Sequence, residues 1–529
     1  MAVAAVALWL GLSSAPAPGG ELVLLAQPGP WPHISTLIGY GGRLWFVNSR
    51  KFVNHNTADV YSYDPLTGGV RFERALFSQD AGDPVVAGGL LYWPFEDPRF
   101  SMGHGEFMVT DGERWQWRVL PSGEVFHVHA MASNDGAIYA ATSAWRAGLQ
   151  RSDDGGTTWR VLYDHPTPPG EVTRATALEI LGGTLYAGLT TGSDDDVTLL
   201  RREGTTMVPV PGWPKGQSTP ALAVYRGWLY ALSDTSNGRS VWRTDGRAVE
   251  RVPGFDGIAV SALAGGIDAL WAVGATRAGG GALWRSADGI TFSEIQRFSD
   301  AKPVALAVYA GEVYVGTEGP GGRGALWGPA APAAVAPPAE RAPMPAWPAP
   351  PDRAAVEAGL AALDHALIDP ATFGGSRGRL ALLVAALGDD RTPEAGNALA
   401  RRLDAAVPEM RVNLFGGNRN IPAQKVARWD LLWAIARTGH GRMPPEFLAL
   451  PWEAPPNRAE KYFETVAGAA WAAAELGQND AATLAALIAR LDRPGDPDWL
   501  AGDIIGALTA LTGERFGHDV AAWQAWWKR

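Results

Sequence analysis

The stretch HVHAMASNDGAIYAATSAWRAGLQRSDDGGTTWRVLYD, residues 127–164, decides the fold. It contains four short apolar segments separated by turns rich in Gly, Asp, Asn and Ser, a pattern typical of antiparallel strands. We name the strands a to d in chain order; they begin near His127, Ala137, Gly148 and Trp159. The stretch predicts one four-stranded, up-and-down sheet.

The same unit recurs seven times along residues 21–328. Its marker is an aliphatic–aromatic pair in strand b: Leu44-Trp45, Leu91-Tyr92, Ile138-Tyr139, Leu185-Tyr186, Leu229-Tyr230, Leu270-Trp271 and Val313-Tyr314. The pairs are 47 residues apart in the first three steps and then 44, 41 and 43 apart. A strand-rich repeat of this length indicates one blade of a β-propeller, so the sequence predicts a seven-bladed all-β propeller over residues 21–328.

The seventh repeat ends early, because a proline-rich run follows Leu326-Trp327 and leaves no strand d. The segment from Glu21 to Gln27 has the composition of an outer strand but belongs to no repeat. Pairing of this segment with the seventh repeat would close the ring and remove an open sheet edge. We therefore expect the N-terminal strand to complete blade 7.

The c–d turn of the third repeat, Ser152-Asp153-Asp154-Gly155-Gly156-Thr157-Thr158-Trp159, resembles the Asp-box of BNR-repeat propellers. A shortened copy consists of Ser286, Asp288, Gly289, Thr291 and Phe292, and partial copies begin at Asp111 and Asp245. The resemblance covers roughly residues 21–328 and implies the fold. It also implies a structural role for the Asp carboxylate, which accepts hydrogen bonds from amides of its own turn.

The BNR resemblance brings sialidases into consideration, because they are the best-known enzymes with Asp-boxes. Their propellers have six blades, and arginines bind the carboxylate of the sugar. The first strand of this chain begins Trp31-Pro32-His33-Ile34-Ser35 and lacks such an arginine. The chain is therefore identified as sialidase-like in superfamily, without the sialidase active-site motifs.

Charge and composition narrow the classes of partner. The chain has 529 residues, 45 basic and 55 acidic side chains and a net charge of −10, which gives no electrostatic reason to bind nucleic acid. It contains no cysteine, which excludes disulfides, thiolate catalysis and cysteine zinc sites. No apolar run beyond the N-terminus is long enough for an integral membrane span.

Residues 1–20 resemble a secretory signal peptide, with an apolar stretch from Val3 to Leu12 followed by small residues and prolines. No Lys or Arg precedes the apolar stretch, so a disordered N-terminus is the alternative. The expected location is outside the cytoplasm, in the periplasm or the extracellular space.

Aligning the repeats places one residue of each blade at the start of strand a, around the axial mouth of the propeller. This mouth ring consists of His33, Asp80, His127, Arg174, Ser218, Ala259 and Lys302. Two positions further along stand Ser35, Gly82, His129, Thr176, Pro220, Ser261 and Val304. The b–c loops of blades 1 and 2 face the same mouth and add Lys51, His55, Glu96, Arg99 and His104.

These residues define the candidate site, and three interpretations stay open. The candidate ligand-binding residues are His33, Asp80, His127, His129, Arg174, Lys302, Glu96 and His104. Asp80, His127 and His129 could bind a divalent metal, the only cofactor we consider, because imidazole and carboxylate are suitable ligands. The other interpretations are a glycan or small-molecule site without metal, and a polar rim that only solvates strand ends or contacts a protein.

The C-terminal part changes in composition. Residues 329–352 are mostly Ala and Pro, which predicts a semi-rigid spacer, and residues 353–529 show helical periodicity. The helical pairs resemble a HEAT-type α-solenoid. We predict one helix from a capping box of Asn457 and Glu460 to Gly477, another that ends at Gly513, and a last one that buries Trp523 and Trp527.

The leading functional hypothesis is an exported, non-catalytic recognition protein that binds a glycan or protein at the mouth and carries a helical interaction domain. It rests on the lack of a recognisable catalytic motif. The alternative is a carbohydrate-active enzyme, either a glycoside hydrolase or a metal-assisted polysaccharide lyase, that uses the His, Asp and Arg side chains of the mouth.

Overall fold

A computed structural model describes the chain in segments. These are residues 21–51, 57–97, 105–120, 125–144, 146–168, 171–255, 258–276, 279–330, 341–368, 386–406, 410–413, 428–452, 460–463 and 465–529. The fold is a seven-bladed β-propeller followed by a helical region, as the sequence predicts.

Each blade is a four-stranded antiparallel sheet. Blades 1 to 3 comprise His33–Tyr40, Arg43–Ser49, Ala58–Tyr63 and Val70–Leu76; Val85–Ala87, Leu90–Pro94, Gly105–Thr110 and Trp115–Leu120; and His127–Asn134, Ala137–Ser143, Ala147–Ser152 and Arg160–Asp164. Blades 4 and 5 comprise Arg174–Leu181, Thr184–Thr190, Leu199–Glu203 and Thr206–Pro209; and Leu222–Tyr225, Trp228–Thr235, Gly238–Thr244 and Val249–Val252. Blades 6 and 7 comprise Ala259–Gly265, Leu270–Ala275, Gly281–Ser286 and Ser293–Phe298; and Lys302–Tyr309, Glu312–Glu318, Ala325–Pro329 and Leu22–Ala26.

The outer strand of blade 7 comes from the N-terminal segment. Leu22–Ala26 pairs antiparallel with Ala325–Pro329, with Leu24 opposite Trp327. Blade 7 also meets blade 1 edge to edge, where His33 pairs with Glu318. The ring is thus joined by backbone pairing at the point where the chain enters and leaves it.

Aspartates stabilise the c–d turns by accepting backbone amides. Asp154 Oδ1 accepts the amides of Thr157 and Thr158 at 3.1 and 2.8 Å. Asp64, Asp111, Asp245 and Asp288 accept two turn amides each in the same way. The turn of Asp64 in blade 1 has this geometry without the Asp-box sequence pattern.

The helical region contains the helices Arg353–Ile368, Pro393–Ala400, Arg428–Thr438, Thr465–Glu475, Ala481–Arg490, Leu500–Thr512 and Val520–Trp527. The strands Met410–Asn413 and Glu460–Phe463 pair antiparallel, and the helix Arg428–Thr438 lies between them in the chain.

Two predictions for this region were wrong. The predicted capping box is absent from its helix, because Glu460 lies in a strand and the helix begins at Thr465, while Asn457 lies outside the described residues. The ring of Trp523 is fully buried, as expected, but Trp527 is 38% exposed.

The helical region packs against the outer edges of blades 1 and 2, whereas the sequence suggested a domain held apart by a spacer. Phe77 of blade 1 stacks on Trp429 and Trp471 with ring centroids 4.9 and 4.5 Å apart. Buried blade residues and helical residues form one continuous hydrophobic core. An ion pair of Arg515 with Glu73 at 2.5 Å and a hydrogen bond between His518 Nε2 and Asp59 at 2.7 Å span the same contact.

The described end of the Ala/Pro-rich segment also contacts the propeller. Trp347 lies between Arg118 and Arg391, whose guanidinium carbons are 4.1 and 3.7 Å from the ring centroid. Thr157 donates a hydrogen bond of 3.0 Å to the carbonyl of Ala346. These contacts hold residues 345–347 against blades 2 and 3, so this part of the segment is not a free spacer. None of the described helices is long and apolar enough to cross a membrane.

Candidate functional site

The innermost strands bring the mouth ring to one end of the propeller. His33, His127, Arg174, Ala259 and Lys302 are the first residues of their strands, as the alignment of the repeats predicts. Asp80 and Ser218 lie at the same level, each beside the end of its own strand b.

A second ring of residues faces the mouth ring from the ends of the b strands. Each member lies opposite the mouth-ring residue sixteen positions earlier in the chain. Cross-strand pairing shows this for Ser49, Ser143, Thr190, Asp234, Ala275 and Glu318. The seventh member is Glu96, whose amide donates a hydrogen bond to the carbonyl of Asp80. We call this set the opposing ring. Six of its seven members are polar, and the sequence contained the signal for them, because the offset of sixteen residues is constant.

A β-bulge recurs near the start of the innermost strand. The residue skipped in the pairing is Ser35, His129, Thr176, Ser261 or Val304 in blades 1, 3, 4, 6 and 7. Bulges redirect a side chain and are common beside functional sites. In blade 3 the bulge brings the rings of His127 and His129 into a stack, 5.1 Å between centroids.

Asp80 forms the buried centre of the blade 1 and 2 part of the mouth. Its side chain is fully buried, and Oδ1 accepts a hydrogen bond of 2.6 Å from Ser35. Lys51 Nζ lies 3.1 Å from Oδ2. Asp80 raises the pKa of Lys51 above its usual value, although burial opposes the shift. Lys51 is therefore a fixed cation at the mouth.

Asp83 was not among the residues that we singled out from the sequence, yet the structure adds it to the site. Its amide donates to the carbonyl of His129 at 2.8 Å. Gly82 allows this approach, because a Cβ there would lie 2.3 Å from the same carbonyl oxygen. The Asp83 carboxyl is exposed, yet the protein packed around it raises its pKa to about 6. The close backbone approach has no sequence pattern of its own.

Glu96 is a second carboxyl with a raised pKa. Burial, with contributions from Asp97 and Asp80, raises the pKa of Glu96 to about 7. Its backbone carbonyl contacts Nδ1 of His127, which connects blade 2 to blade 3. A group that titrates near pH 7 can both hold and release a proton under physiological conditions.

His129 is kept neutral. Burial, followed by the charges of neighbours including His127 and Arg174, holds the pKa of His129 well below its usual value. Its Nε2 forms a hydrogen bond of 2.9 Å with the hydroxyl of Ser143. Arg174 itself is exposed at the mouth, so its guanidinium is accessible to a ligand.

His33 and Lys302 lie at the seam of blades 7 and 1. Both contact Glu318, with Nε2 of His33 at 3.3 Å and Nζ of Lys302 at 3.2 Å from Oε1. The amide of Lys51 donates to Nδ1 of His33 at 3.3 Å. His33 thus connects the seam to the Asp80 centre.

The predicted metal site is not assembled by these residues. Within the part of the chain that the structure describes, no group of three His, Cys, Asp or Glu side chains is arranged to hold a metal ion. Asp80 is turned to Lys51 and Ser35, His127 Nδ1 contacts the carbonyl of Glu96, and His129 is bonded to Ser143, so the three proposed ligands face different partners. His104, like His55 and Arg99, lies outside the described residues.

No protein-family model and no curated protein matches the sequence. Among solved structures, a GH74 enzyme of Niastella koreensis is 14% identical with a TM-score of 0.42, and the match covers 56% of this chain and 52% of that one. This chain therefore spans about half the length of that enzyme. YCF48 from Cyanidioschyzon merolae is 13% identical with a TM-score of 0.41, covering 58% and 98% of the two chains. A PL25 ulvan lyase bound to a saccharide is 12% identical with a TM-score of 0.41, covering 58% and 95%.

Proposed function

We propose that the protein recognises a glycan at the axial mouth of the propeller, mainly through blades 1 to 4. The observation that carries the proposal is the close grouping of cations and carboxyls at the mouth. Lys51 and Arg174 lie among Asp80, Asp83 and Glu96. Perturbed ionisable groups concentrated in one concave region are typical of binding sites and active sites.

The mixed charge favours a hydroxyl-rich ligand over a uniformly charged one. A polyanion would be repelled by the carboxyls, and a polycation by Lys51 and Arg174. A sugar hydroxyl both donates and accepts hydrogen bonds, so it can use a cation and a carboxylate side by side. Hydrogen bonds to charged groups are also stronger than those between neutral groups.

A glycan array followed by titration calorimetry tests the proposal. We expect Arg174→Ala and Glu96→Ala each to weaken binding of the array ligand at least about tenfold, because each removes a hydrogen bond to a charged or proton-holding group. Arg247→Ala is the matched control, since Arg247 is an exposed arginine of the blade 5 c–d turn, on the opposite face. Unchanged affinity in both mouth variants would place the ligand elsewhere.

A second candidate function is a carbohydrate-active enzyme, either a hydrolase or a lyase. The observation that favours it is the pair of Glu96, with a pKa of about 7, and neutral His129 in the same mouth. A proton-holding carboxyl can act as a general acid, and a neutral imidazole can donate or accept a hydrogen bond beside it. Two results would support this function over simple binding. Glu96→Gln should no longer cleave a carbohydrate that the wild type cleaves, and the wild-type cleavage rate should fall as the pH rises through 7.

We also propose a family for each of the two domains and a location for the protein. The c–d turns of Asp154 and Asp288 support membership of the BNR, or Asp-box, propellers, and the helical pairs support a HEAT-like interaction domain. The apolar stretch from Val3 to Leu12 supports export. N-terminal sequencing of the protein secreted by its native host would test export directly, because a cleaved signal would leave a new terminus near residue 20.

A further inference from the structure

We propose that the mouth has a second subsite between blades 5, 6 and 7, so that the ligand is an extended oligosaccharide that crosses the propeller axis. This inference rests on the proposed glycan function and specifies its ligand. The subsite is a pocket of about 520 Å³, within the usual range for small-molecule sites. Its lining includes Gln217, Asp234, Arg239, Ala259, Ser261 and Lys302.

The pocket lies where the rings around the mouth carry short side chains. Blades 1 to 4 place His, Asp, His and Arg at the mouth ring, whereas blades 5 and 6 place Ser218 and Ala259 there. Opposite Ala259 stands Ala275, the one apolar member of the opposing ring. The missing side-chain volume leaves open space beside the axis. The same alignment of the repeats that defines the charged part of the mouth therefore explains the pocket.

The pocket contains a rigid polar group. Arg239 Nε and Nη2 donate to the two oxygens of Asp234 at 2.5 and 2.8 Å, and Nη1 donates to the carbonyl of Val260 at 2.6 Å. Ser218 also donates to Asp234 at 2.7 Å. Partial burial raises the pKa of Asp234, but the bonds from Arg239 and Ser218 outweigh it and bring the pKa below its usual value.

This ion pair is suited to bind an uncharged, hydroxyl-rich group. Asp234 and Arg239 neutralise each other, and their side chains stay 25% and 29% exposed, so both can bond to a ligand without first rearranging. Such preorganisation reduces the entropic cost of binding. Gln217 and Ser261 add an amide and a hydroxyl to the lining.

A continuous series of polar contacts joins the pocket to the charged part of the mouth. Lys302 lines the pocket and contacts Glu318, which also contacts His33. The backbone of Lys51 bonds to His33, and its side chain pairs with Asp80. A chain of sugar residues can therefore find hydrogen-bonding partners from the pocket to the Asp80 centre.

The test is the dependence of affinity on ligand length. The probes are neutral and uronate-containing oligosaccharides of two to eight residues from the array, titrated against wild type, Ala259→Phe and Lys302→Gln. In wild type, affinity should rise with length. Ala259→Phe fills the pocket from an exposed position. The affinity for long oligosaccharides should therefore fall about tenfold, to the affinity for short ones.

Controls separate the two proposals. Ala248→Phe places the same bulk on an exposed alanine of the blade 5 c–d turn. It should leave the affinities for short and for long oligosaccharides unchanged. Lys302→Gln removes the charge of a 53% exposed side chain and should also reduce the gain in affinity with ligand length. It keeps the proposal testable if Ala259→Phe fails to fold. If both pocket variants bind long chains like wild type while Arg174→Ala weakens binding, the second subsite is refuted and the glycan function stands. If wild type binds no oligosaccharide, both proposals fail.

Discussion

At the scale of single residues, the mouth shows how one backbone position supports different chemistry in successive blades. The repeat fixes where His33, Asp80, His127 and Arg174 lie. Three of them begin an innermost strand, and Asp80 lies at the same level, ahead of the strand Val85–Ala87 of its blade. Their neighbours decide what they can do. Asp80 is buried against Lys51, whereas Arg174 is exposed to the mouth.

The register of these residues could be predicted from the sequence, and their contacts could not. A strict spacing locates the ring and would also have located Glu318 at the constant offset from Lys302. Asp83 depends on a close approach of two backbones at Gly82, and the bulge at His129 depends on pairing with the neighbouring strand. Neither feature leaves a pattern in one sequence.

Replacing Lys51 by Met should destabilise the protein by about 3 kcal/mol, because it leaves the buried Asp80 carboxylate without its cation. Chemical denaturation at neutral pH measures the loss. Lys215→Met, at an exposed lysine, is the control and should change stability by no more than about 0.5 kcal/mol. The double variant with Asp80→Asn should recover part of the loss. A single variant as stable as the control would show that the pair contributes nothing.

At the scale of elements, the closing strand of blade 7 is held by more than its own sheet. Leu22–Ala26 pairs with Ala325–Pro329 on one side. On the other side, Gln296 of blade 6 accepts from the amide of Leu22 at 2.7 Å and donates to its carbonyl at 3.0 Å. The truncated last repeat predicted the strand, but the contact with Gln296 has no sequence signal.

Replacing Gln296 by Ala should cost about 1–2 kcal/mol, because two hydrogen bonds to the closing strand are lost. The loss should appear as a lower unfolding midpoint and as faster proteolysis of the N-terminal strand. Ser293→Ala, at an exposed position of the same strand, is the matched control. Equal proteolysis in the two variants would mean that pairing with Ala325–Pro329 alone closes the ring.

At the scale of the whole molecule, the helical region forms one body with blades 1 and 2. Trp117, in the outer strand of blade 2, packs edge-on against Trp433 and Trp471 of the helices, with ring centroids 5.1 and 5.2 Å apart. Composition predicts that these residues are buried. It does not say which element buries them, because a partner on another domain has no fixed spacing in the sequence.

Replacing Phe77 by Ala should loosen this contact, at a cost of about 3–5 kcal/mol, because the ring fills the space between Trp429 and Trp471. Hydrogen exchange should become faster in Arg428–Thr438 and Thr465–Glu475. Phe255→Ala removes an equally buried ring between blades 5 and 6 and should leave exchange in these helices unchanged. If hydrogen exchange in these helices became faster to the same extent in both variants, a local effect of Phe77 would be contradicted.

The same contact makes the stability of the protein depend on pH through Glu106. This carboxyl is fully buried on blade 2, and Trp117 Nε1 donates to it at 3.0 Å. Burial raises its pKa from 4.5 to about 8. The folded protein therefore keeps a proton that the unfolded chain releases above pH 4.5. Its stabilising contribution is complete below pH 4.5 and is lost as the pH rises to 8, by roughly 5 kcal/mol at about 1.4 kcal/mol per pKa unit.

Glu106→Gln isolates this contribution, because the amide still accepts from Trp117 but has no proton to lose. The variant should match wild type near pH 5 and exceed its unfolding midpoint increasingly up to pH 8, the pKa of the carboxyl. Glu171→Gln, at an exposed position, should follow the wild-type curve. Parallel curves for wild type and Glu106→Gln would mean that the carboxyl is solvated in the folded protein. That outcome would require a looser contact between blade 2 and the helices than the packing of Trp117 shows, since water must then reach the strand beneath them.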